Sequence, residues 1–228
     1  MTESTKNEAQ FPVTERNKIR REHHRGSYDK DTVYDVLDAS PLCFVGYSID
    51  GAPYVTPTIH WRDGNRLYWH GSSASRFLRS AADMKVCLTV GMMDGYVMAR
   101  SAFNHSVNYR SVMAFGTARK LEGEAENEES LWLLVEKLFP GRWAQLRPMT
   151  KQELKATSVL WMEIEDASVK IRTGGPGDPE EADVPVWAGV VPMHTSLQSA
   201  EPAPELPEGF PLPDYLANLI ASGALRAG

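Results

Sequence analysis

The segment from Asn108 to Leu121, NYRSVMAFGTARKL, constrains the fold of this chain most. Its residues alternate with the period of a β-strand, so we expect one long strand with two distinct faces. Arg110 and Ser111 stand near its start. An arginine in a strand is costly unless it stays solvated or holds an anion. One face would carry Val112, Ala114 and Gly116, and the other Met113, Phe115 and Thr117.

A second group of anion-binding donors lies upstream, in HGSSASRFLRS, from His70 to Ser80. A predicted strand gives way to a predicted helix there, with serines at the helix start and Arg76 one turn in. Free backbone N–H groups, hydroxyls and a guanidinium together suit a phosphate. Two separate segments therefore each offer donors for one phosphate group.

Short strands joined by tight turns fill most of the central chain. Asp50-Gly51 is a strong two-residue hairpin signal, and Arg62 to Asn65 predict a second hairpin. KVCLTVGMMDGYVMA is one long strand or two strands broken near Asp94-Gly95, and residues 158–172 are predicted to return as strand.

Helices are few in this pattern. DTVYDVLDAS is a short helix capped by Asp31 or its neighbour, and NEESLWLLVEKLF is a second one that ends at Pro140-Gly141. The alternation of strand and helix that builds a parallel sheet is missing. The predicted class is therefore mainly β, a Greek-key barrel or sandwich with a few helices.

Composition divides the chain into three parts. Residues 1–27 form a polar arm with a basic stretch, RNKIRREHHR, which either reaches an anionic cofactor or partner subunit or lies in solvent. Residues 28–175 form the barrel. Residues 176–228 are rich in proline, glycine and acids and end in a predicted helix, PDYLANLIASGAL.

Charge and hydropathy exclude several classes of function. A net charge of −6 argues against a nucleic-acid or membrane-surface binder. No apolar run is long enough to span a bilayer, and the N-terminus lacks the apolar core of a signal peptide. Cys43 and Cys87 lie in apolar runs and are expected to be reduced and buried. We therefore expect a cytoplasmic protein, with no disulfide scaffold and no metal site.

Three segments, PTIHW, YWHGSSASR and NYRSVMAFGTARKL, resemble the pyridoxamine 5′-phosphate oxidase-like flavoproteins, the FMN-binding split barrels, and most of all their nitroimidazole-resistance branch. The resemblance extends from Tyr28 to Gly174, with PVWAGVVP as a further match. It implies bound FMN, a homodimer with flavin sites at the interface, and a small-molecule substrate. The oxidases carry glutamine where this chain has Ser111 and lysine where it has Phe77, which argues against vitamin B6 phosphates as substrates.

The resemblance also implies which residues form the site. The strand that contains Thr56 would follow the isoalloxazine edge, and His70 would be the catalytic residue. Trp187 would either stack near the flavin or pin the C-terminal tail to the barrel. The predicted cofactor site comprises Thr56, Pro57, Thr58, Ile59, His60, His70, Gly71, Ser72, Ser75, Arg76, Asn108, Tyr109, Arg110, Ser111 and Trp187.

The expected function is that of an FMN-dependent oxidoreductase. Electrons would pass from a reduced nicotinamide nucleotide through the flavin to a small oxidant, while the protein supplies binding and orientation. A non-catalytic flavin- or haem-binding protein is the alternative from another class, and a split barrel that prefers a deazaflavin is a third hypothesis.

Overall fold

The computed structural model describes residues 9–75 and 83–223 of the chain, and ten strands of these residues form one antiparallel sheet. In chain order the strands are β1 Gly26–Ser27, β2 Leu42–Ile49, β3 Ala52–Asp63, β4 Arg66–Ser72, β5 Lys85–Met98, β6 Ser106–Thr117, β7 Arg119–Lys120, β8 Thr157–Glu163, β9 Asp166–Arg172 and β10 Gly189–Pro192. Their spatial order is β1-β9-β6-β5-β2-β3-β4-β8-β7, with β10 added to β5. The sheet does not close, because β1 and β7 end it, and this confirms the predicted mainly-β split barrel.

Both predicted hairpins are present. β2 and β3 are joined by Asp50 and Gly51, whose φ angles of 52° and 80° are the positive values that a tight hairpin turn requires. β3 and β4 are joined at Gly64 and Asn65, within the predicted turn. These turns fix the register of three consecutive strands.

Strands β5 and β6 form the longest ladder of the sheet. On β6, Val112 and Ala114 are buried, whereas Met113 is 44% exposed, as the alternation predicted. The β5–β6 register shifts between Met93 and Gly95, so a bulge interrupts one continuous strand at Asp94.

The strand predicted over residues 158–172 is confirmed but divided in two, because the chain turns a corner at Ile164 and Glu165. β8 pairs with β4 and β7, whereas β9 pairs with β6 and β1. Between the two strands, Ile164 N–H donates to the Asn65 carbonyl and Glu165 N–H donates to the Phe115 carbonyl. These two bonds hold the corner at which the chain passes from one half of the barrel to the other.

The described residues contain four helices, α1 Lys30–Asp38, α2 Glu124–Leu138, α3 Lys151–Ala156 and α4 Asp214–Ser222, of which the first three contact the sheet. The N-cap of α1 is Asp29, which accepts from Thr32 N at 2.9 Å, so the cap lies two residues before Asp31, where the prediction had placed it at Asp31 or its neighbour. Asp31 lies in the first helical turn instead.

Two hydrophobic cores hold the barrel together. The larger one fills its interior and includes Trp69, Leu88 and Val112. The smaller one lies between α2 and the sheet, where Leu131 and Leu134 of the helix cover Trp61 and Tyr68. Trp61 and Tyr68 lie opposite each other on β3 and β4 and stack with ring centroids 5.8 Å apart.

The described part of the predicted N-terminal arm, residues 9–27, is docked on the barrel. Phe11 is buried in the larger core, and buried Asn17 donates to the Ala167 carbonyl. Arg16 binds both Glu165 and Asp166. Within the basic segment, Arg16 is therefore tied to acids of the barrel, whereas Lys18, Arg20 and Arg21 are exposed.

The C-terminal extension is also anchored. β10 pairs with the end of β5, and fully buried Asp178 accepts hydrogen bonds from the backbone of Arg100 and Ser101.

Both cysteines are free thiols, with Cys43 buried and Cys87 half-buried. No helix in the described ranges is long and apolar enough to cross a membrane.

Candidate functional site

His60 and His70 lie on the neighbouring strands β3 and β4, but on opposite faces of the sheet. The register places His60 opposite Trp69 and Trp61 opposite Tyr68, so His70 shares the face of Trp61. His60 is fully buried, and its Nδ1 contacts the Pro41 carbonyl oxygen at 3.1 Å. Burial lowers the pKa of His60 to about 4. Its ring is therefore a neutral part of the core, and its backbone N–H also donates to the Pro41 carbonyl, at 2.9 Å.

His70 is half-buried at the edge of the smaller core. Its ring lies 5.8 Å from the Trp61 ring, and its buried Nδ1 has no hydrogen-bond partner among the residues that the structure describes. Desolvation lowers the pKa of His70, so the neutral imidazole is favoured. Because Nδ1 is enclosed, Nε2 is the nitrogen through which this ring would contact a ligand.

An apolar surface extends from His70 across the outside of the sheet. Its members are Leu42, Phe44, Val55, Ile59 and Met113, which are 41–66% exposed, and we call this surface the outer face. Strand register brings Leu42 opposite Ile59, and Ile59 lies on the same face of β3 as Trp61. The outer face is therefore contiguous with the face that carries His70.

Strand β3 offers an open edge beside this surface. Residues 55–59 pair with β2 on one side, whereas pairing with β4 begins only at His60. Among the strands that the structure describes, none pairs with the other edge of this stretch, which contains the predicted site residues Thr56, Pro57 and Thr58. The Thr56 hydroxyl is within 3.0 Å of the Tyr47 hydroxyl. Unpaired backbone groups of this kind can bind the polar edge of a planar ligand.

The predicted phosphate turn follows β4. Ser72 ends the strand, and its hydroxyl accepts from Ala74 N at 3.2 Å. Ser75 N–H donates to the Ser72 carbonyl at 2.8 Å, which closes a tight turn after Gly71. Arg76 and Phe77 lie outside the described residues.

Arg110 lies on β6, opposite Met92 of β5, and is bound by Asp94. The Asp94 carboxylate accepts from Arg110 Nε at 3.0 and 3.2 Å and from Nη2 at 2.8 Å. These hydrogen bonds raise the pKa of Arg110 above its usual value. Ser111 points to the opposite face from Arg110, and its hydroxyl lies 3.4 Å from the Lys170 carbonyl oxygen.

Asn108 stabilises a turn instead of facing an open pocket. It is buried, accepts from Arg172 Nη1 at 2.5 Å and donates to the Gly174 carbonyl at 3.1 Å. Its neighbour Tyr109 is half-buried opposite Met93. Trp187 is 66% exposed, and its ring lies over Gly189 at the start of β10.

The two predicted phosphate segments are far apart along the sheet of one chain. Three strands, β5, β2 and β3, separate β6 from β4. Four strand spacings correspond to about 19 Å along the sheet. One chain therefore presents two separate sets of donors, one near Ser72 and the other at Arg110.

Asp94 is the residue of this region that sequence reasoning missed. The Asp94-Gly95 pair was recognised only as a break in the strand, although a bulge commonly redirects a side chain.

No group of three or more histidine, cysteine, aspartate or glutamate side chains within residues 9–75 and 83–223 could hold a metal ion.

Comparison with known proteins places the chain in a family. The model of the pyridoxamine 5′-phosphate oxidase family matches residues 29–171, and the chain belongs to this family. No curated protein matches the chain.

Two solved structures resemble the whole chain. The flavocytochrome Anf3 from Azotobacter vinelandii is 42% identical with a TM-score of 0.85, and the match covers 90% of this chain and 97% of that one. The FAD- and haem-binding protein from Mycobacterium smegmatis is 35% identical with a TM-score of 0.83, and the match covers 89% and 99% of the two chains.

A third structure shares the fold alone. It is described as a candidate 5-nitroimidazole antibiotic resistance protein from Bacteroides thetaiotaomicron, is 18% identical and has a TM-score of 0.51. This match covers 64% of the present chain and 86% of the other. It agrees with the predicted resemblance to that branch.

Proposed function

We propose that this protein binds a flavin and a haem and transfers electrons between them and a small oxidant. The observation that carries the proposal is His70, a neutral, half-buried histidine beside an exposed apolar surface. Two relatives that match nearly the whole chain support it, since one is a flavocytochrome and the other binds FAD and haem.

The described residues fit a haem. A histidine that would hold haem iron must offer an accessible neutral imidazole nitrogen next to an apolar wall, since haem is largely apolar. His60 is enclosed in the core, and His23, His24, His105 and His194 are exposed. His70 alone combines partial burial with the neighbouring outer face. It would bind through Nε2, while Leu42 and Ile59 of the outer face exclude water from the group.

The lowered pKa of His70 also favours a ligand role over an acid role. A general acid at neutral pH needs a pKa near or above 7, whereas burial moves the pKa of His70 below its usual value of 6.5. A neutral imidazole is the form that binds iron. The predicted catalytic role of His70 is thus refined to that of a cofactor ligand.

The described residues fit a flavin as well. The open edge of β3 would contact the isoalloxazine ring through backbone groups, and the turn from Ser72 to Ser75 and the Arg110 side chain offer donors for a phosphate. We propose FAD, because the relative from M. smegmatis binds it. FMN, which the family resemblance implies, is the second candidate. The flavin would supply hydride and single-electron chemistry, and the chain binding and orientation.

We further propose a homodimer that buries the outer face. Five large apolar side chains of this surface are exposed in one chain, and such patches commonly mark interfaces. A second copy could also bring the donors near Ser72 close to those at Arg110, which are separated along one sheet. The electron donor would be a reduced nicotinamide nucleotide, and a non-catalytic flavin- or haem-binding protein remains the alternative function.

An absorbance spectrum of the purified protein tests the cofactors, because haem and flavin absorb in separate bands. Heat release and comparison with standards identifies the flavin. His70→Ala should remove the haem bands and retain the flavin, whereas His105→Ala, at an exposed histidine, should keep both. Haem retained by His70→Ala, or an absence of both cofactors after reconstitution, would contradict the proposal. Steady turnover of NADH or NADPH separates an enzyme from a binding protein.

A further inference from the structure

Arg172, at the end of β9, is a buried arginine that is only 8% exposed. Its guanidinium donates from Nη1 to the Asn108 amide oxygen at 2.5 Å and to the Gly174 carbonyl at 3.3 Å. It also donates from Nη2 to the Gly175 carbonyl at 3.0 Å. All three acceptors are neutral, and no carboxylate of residues 9–75 and 83–223 forms an ion pair with Arg172.

Two other arginines that the fold partly buries do have an acid beside them. The Arg62 side chain is 17% exposed and pairs with Asp38, and the Arg100 side chain is 21% exposed and pairs with Asp178. A buried arginine without a counter-ion is costly, since neutral oxygens offset only part of the lost hydration. The bonds of Arg172 use at most three of its five N–H groups, so at least two remain for an anion.

A pocket of about 240 Å³ lies beside Arg172. We call it the basic pocket, and it is lined by His24, Arg25, Ile171, Arg172 and Thr173. The acid that the structure places beside these cations is Glu22, which lies 3.0 Å from Arg25 and 3.5 Å from His24. One carboxylate thus faces two guanidinium groups and an imidazole, and the basic pocket keeps an excess of positive charge.

The wall that carries His24 and Arg25 is fixed to the sheet. Directly after it, Gly26 of β1 pairs with Lys170 of β9. Directly before it, the Arg21 carbonyl accepts from Lys170 Nζ at 3.0 Å. These contacts hold the backbone of the two cationic residues in place, so an anion would need to order only their side chains.

The basic pocket is separate from the donors that we assign to the flavin phosphate. In the β6–β9 ladder Arg172 lies opposite Tyr109, whereas Arg110 lies opposite Ile171. The alternation of a strand therefore directs Arg172 and Arg110 to opposite faces of the sheet.

We propose that the basic pocket binds a phosphate group that does not belong to the flavin. Guanidinium groups suit this ligand, because their forked N–H groups donate in pairs to phosphate oxygens. Free phosphate and the phosphate of a nicotinamide nucleotide, the proposed electron donor, offer the same chemistry. The site itself does not depend on the proposed flavin and haem.

Isothermal titration calorimetry of the protein as purified, with inorganic phosphate, tests the site. We expect one phosphate per chain with a dissociation constant of about 1 mM or below. Arg25→Gln should weaken binding about tenfold, and Arg172→Gln should weaken it at least as much. Arg20→Gln is the matched control, because Arg20 also pairs with a glutamate of the same segment but is 71% exposed and does not line the pocket.

Two results would overturn the site. One is a wild type that binds no phosphate up to about 20 mM, and the other is an Arg25→Gln variant that binds phosphate as tightly as the wild type. Because Arg25 is partly exposed, this variant decides the question even where Arg172→Gln does not fold. Flavin content, read from the absorbance of the same samples, should be equal in all variants. Loss of flavin from folded Arg25→Gln would show that the pocket serves the flavin and would contradict the proposal.

Nicotinamide nucleotides identify the source of the phosphate. If NADH or NADPH brings it, NAD⁺ or NADP⁺ should displace inorganic phosphate, and Arg25→Gln should raise the KM for the reduced nucleotide about tenfold while kcat is unchanged. If neither nucleotide competes, free phosphate is the ligand of the site. A wild type that binds phosphate but contains no flavin would refute the proposed function and leave the basic pocket confirmed.

Discussion

His60 and His70 belong to the same hairpin yet point to opposite faces of the sheet, because the register places His60 opposite Trp69. One ring is thereby enclosed in the core, while the other is half-buried beside the outer face. A shift of one residue in this hairpin would exchange the two environments. The Gly64-Asn65 turn that sets the register thus also decides which histidine can meet a ligand.

The first prediction concerns pH and His60. Its pKa falls from 6.5 to about 4 on folding, so the folded state binds fewer protons than the unfolded state between these values. The free energy of unfolding should therefore fall as the pH is lowered from 6.5 towards 4, by at most about 3 kcal/mol from this group.

Urea unfolding of the wild type and of His60→Gln at several pH values checks this contribution. Glutamine can still donate to the Pro41 carbonyl but does not titrate. Between pH 6.5 and 4 the variant should lose the part of the pH dependence that comes from His60, while Glu153 and Glu165, whose pKa values are lowered to about 2, contribute equally to both proteins. His70 contributes with the same sign in both proteins, so their difference isolates His60. Parallel curves would show that His60 does not titrate as described.

The second prediction separates structure from binding at Asn108. Asn108→Ala would leave buried Arg172 without one charge-assisted hydrogen bond and would remove one of the two donors to the Gly174 carbonyl. We expect a loss of about 1.5–3 kcal/mol in the free energy of unfolding. Flavin affinity at a temperature where the variant is folded should stay within about threefold. Asn218→Ala, at an exposed helix position, is the control. Weakened flavin binding with an unchanged free energy of unfolding would show that Asn108 belongs to the cofactor site.

Local patterns predicted the hairpins and the alternation of β6, because turn chemistry and side-chain direction depend on a few neighbouring residues. The corner at Ile164 and Glu165 was missed for the opposite reason. Strand-like residues lie on both sides of its EIED sequence, and its bonds go to Asn65 and Phe115, which are distant in sequence. No pattern within residues 158–172 identifies those partners.

The candidate site was predictable only where its residues are consecutive. One strand end carries three of them, because His70 and Ser72 lie in the last residues of β4 and Ser75 comes shortly after it. Their order in the sequence therefore indicated their common location. The Arg110–Asp94 pair joins two strands across a bulge, and the bulge sets which side chain of β5 faces Arg110. Since a one-residue shift cannot be read from hydrophobic periodicity, the sequence alone suggested a free arginine.

The third prediction uses two glycines of the same ladder. A Cβ at Gly116 would collide with the Glu163 backbone carbonyl, whereas a Cβ at Gly91 would meet nothing within 4 Å. Gly116→Ala should therefore lower the free energy of unfolding by about 1–3 kcal/mol, since the barrel backbone must shift. Gly91→Ala should be neutral or slightly stabilising, because alanine restricts the unfolded chain. Thermal and urea unfolding of the two variants measures the contrast, and equal stabilities would contradict the close approach of β6 and β8.

The last prediction tests the proposed dimer through the outer face. Phe44 is 41% exposed at the centre of this surface, opposite Pro57 and Thr89, so Phe44→Lys should place a charge in the interface without entering the core. Burying an unpaired ammonium is costly, and we expect the dissociation constant of the dimer to rise at least about a hundredfold. Val186→Lys changes an apolar residue of the extension that is 54% exposed, and this control should not affect assembly. Sedimentation equilibrium should give about twice the chain mass of 25.4 kDa for the wild type and the control, and monomer for Phe44→Lys. Flavin titration of the same samples then tests whether the flavin site needs both copies of the chain. A wild type that is monomeric at micromolar concentration and binds flavin at full strength would refute the shared site.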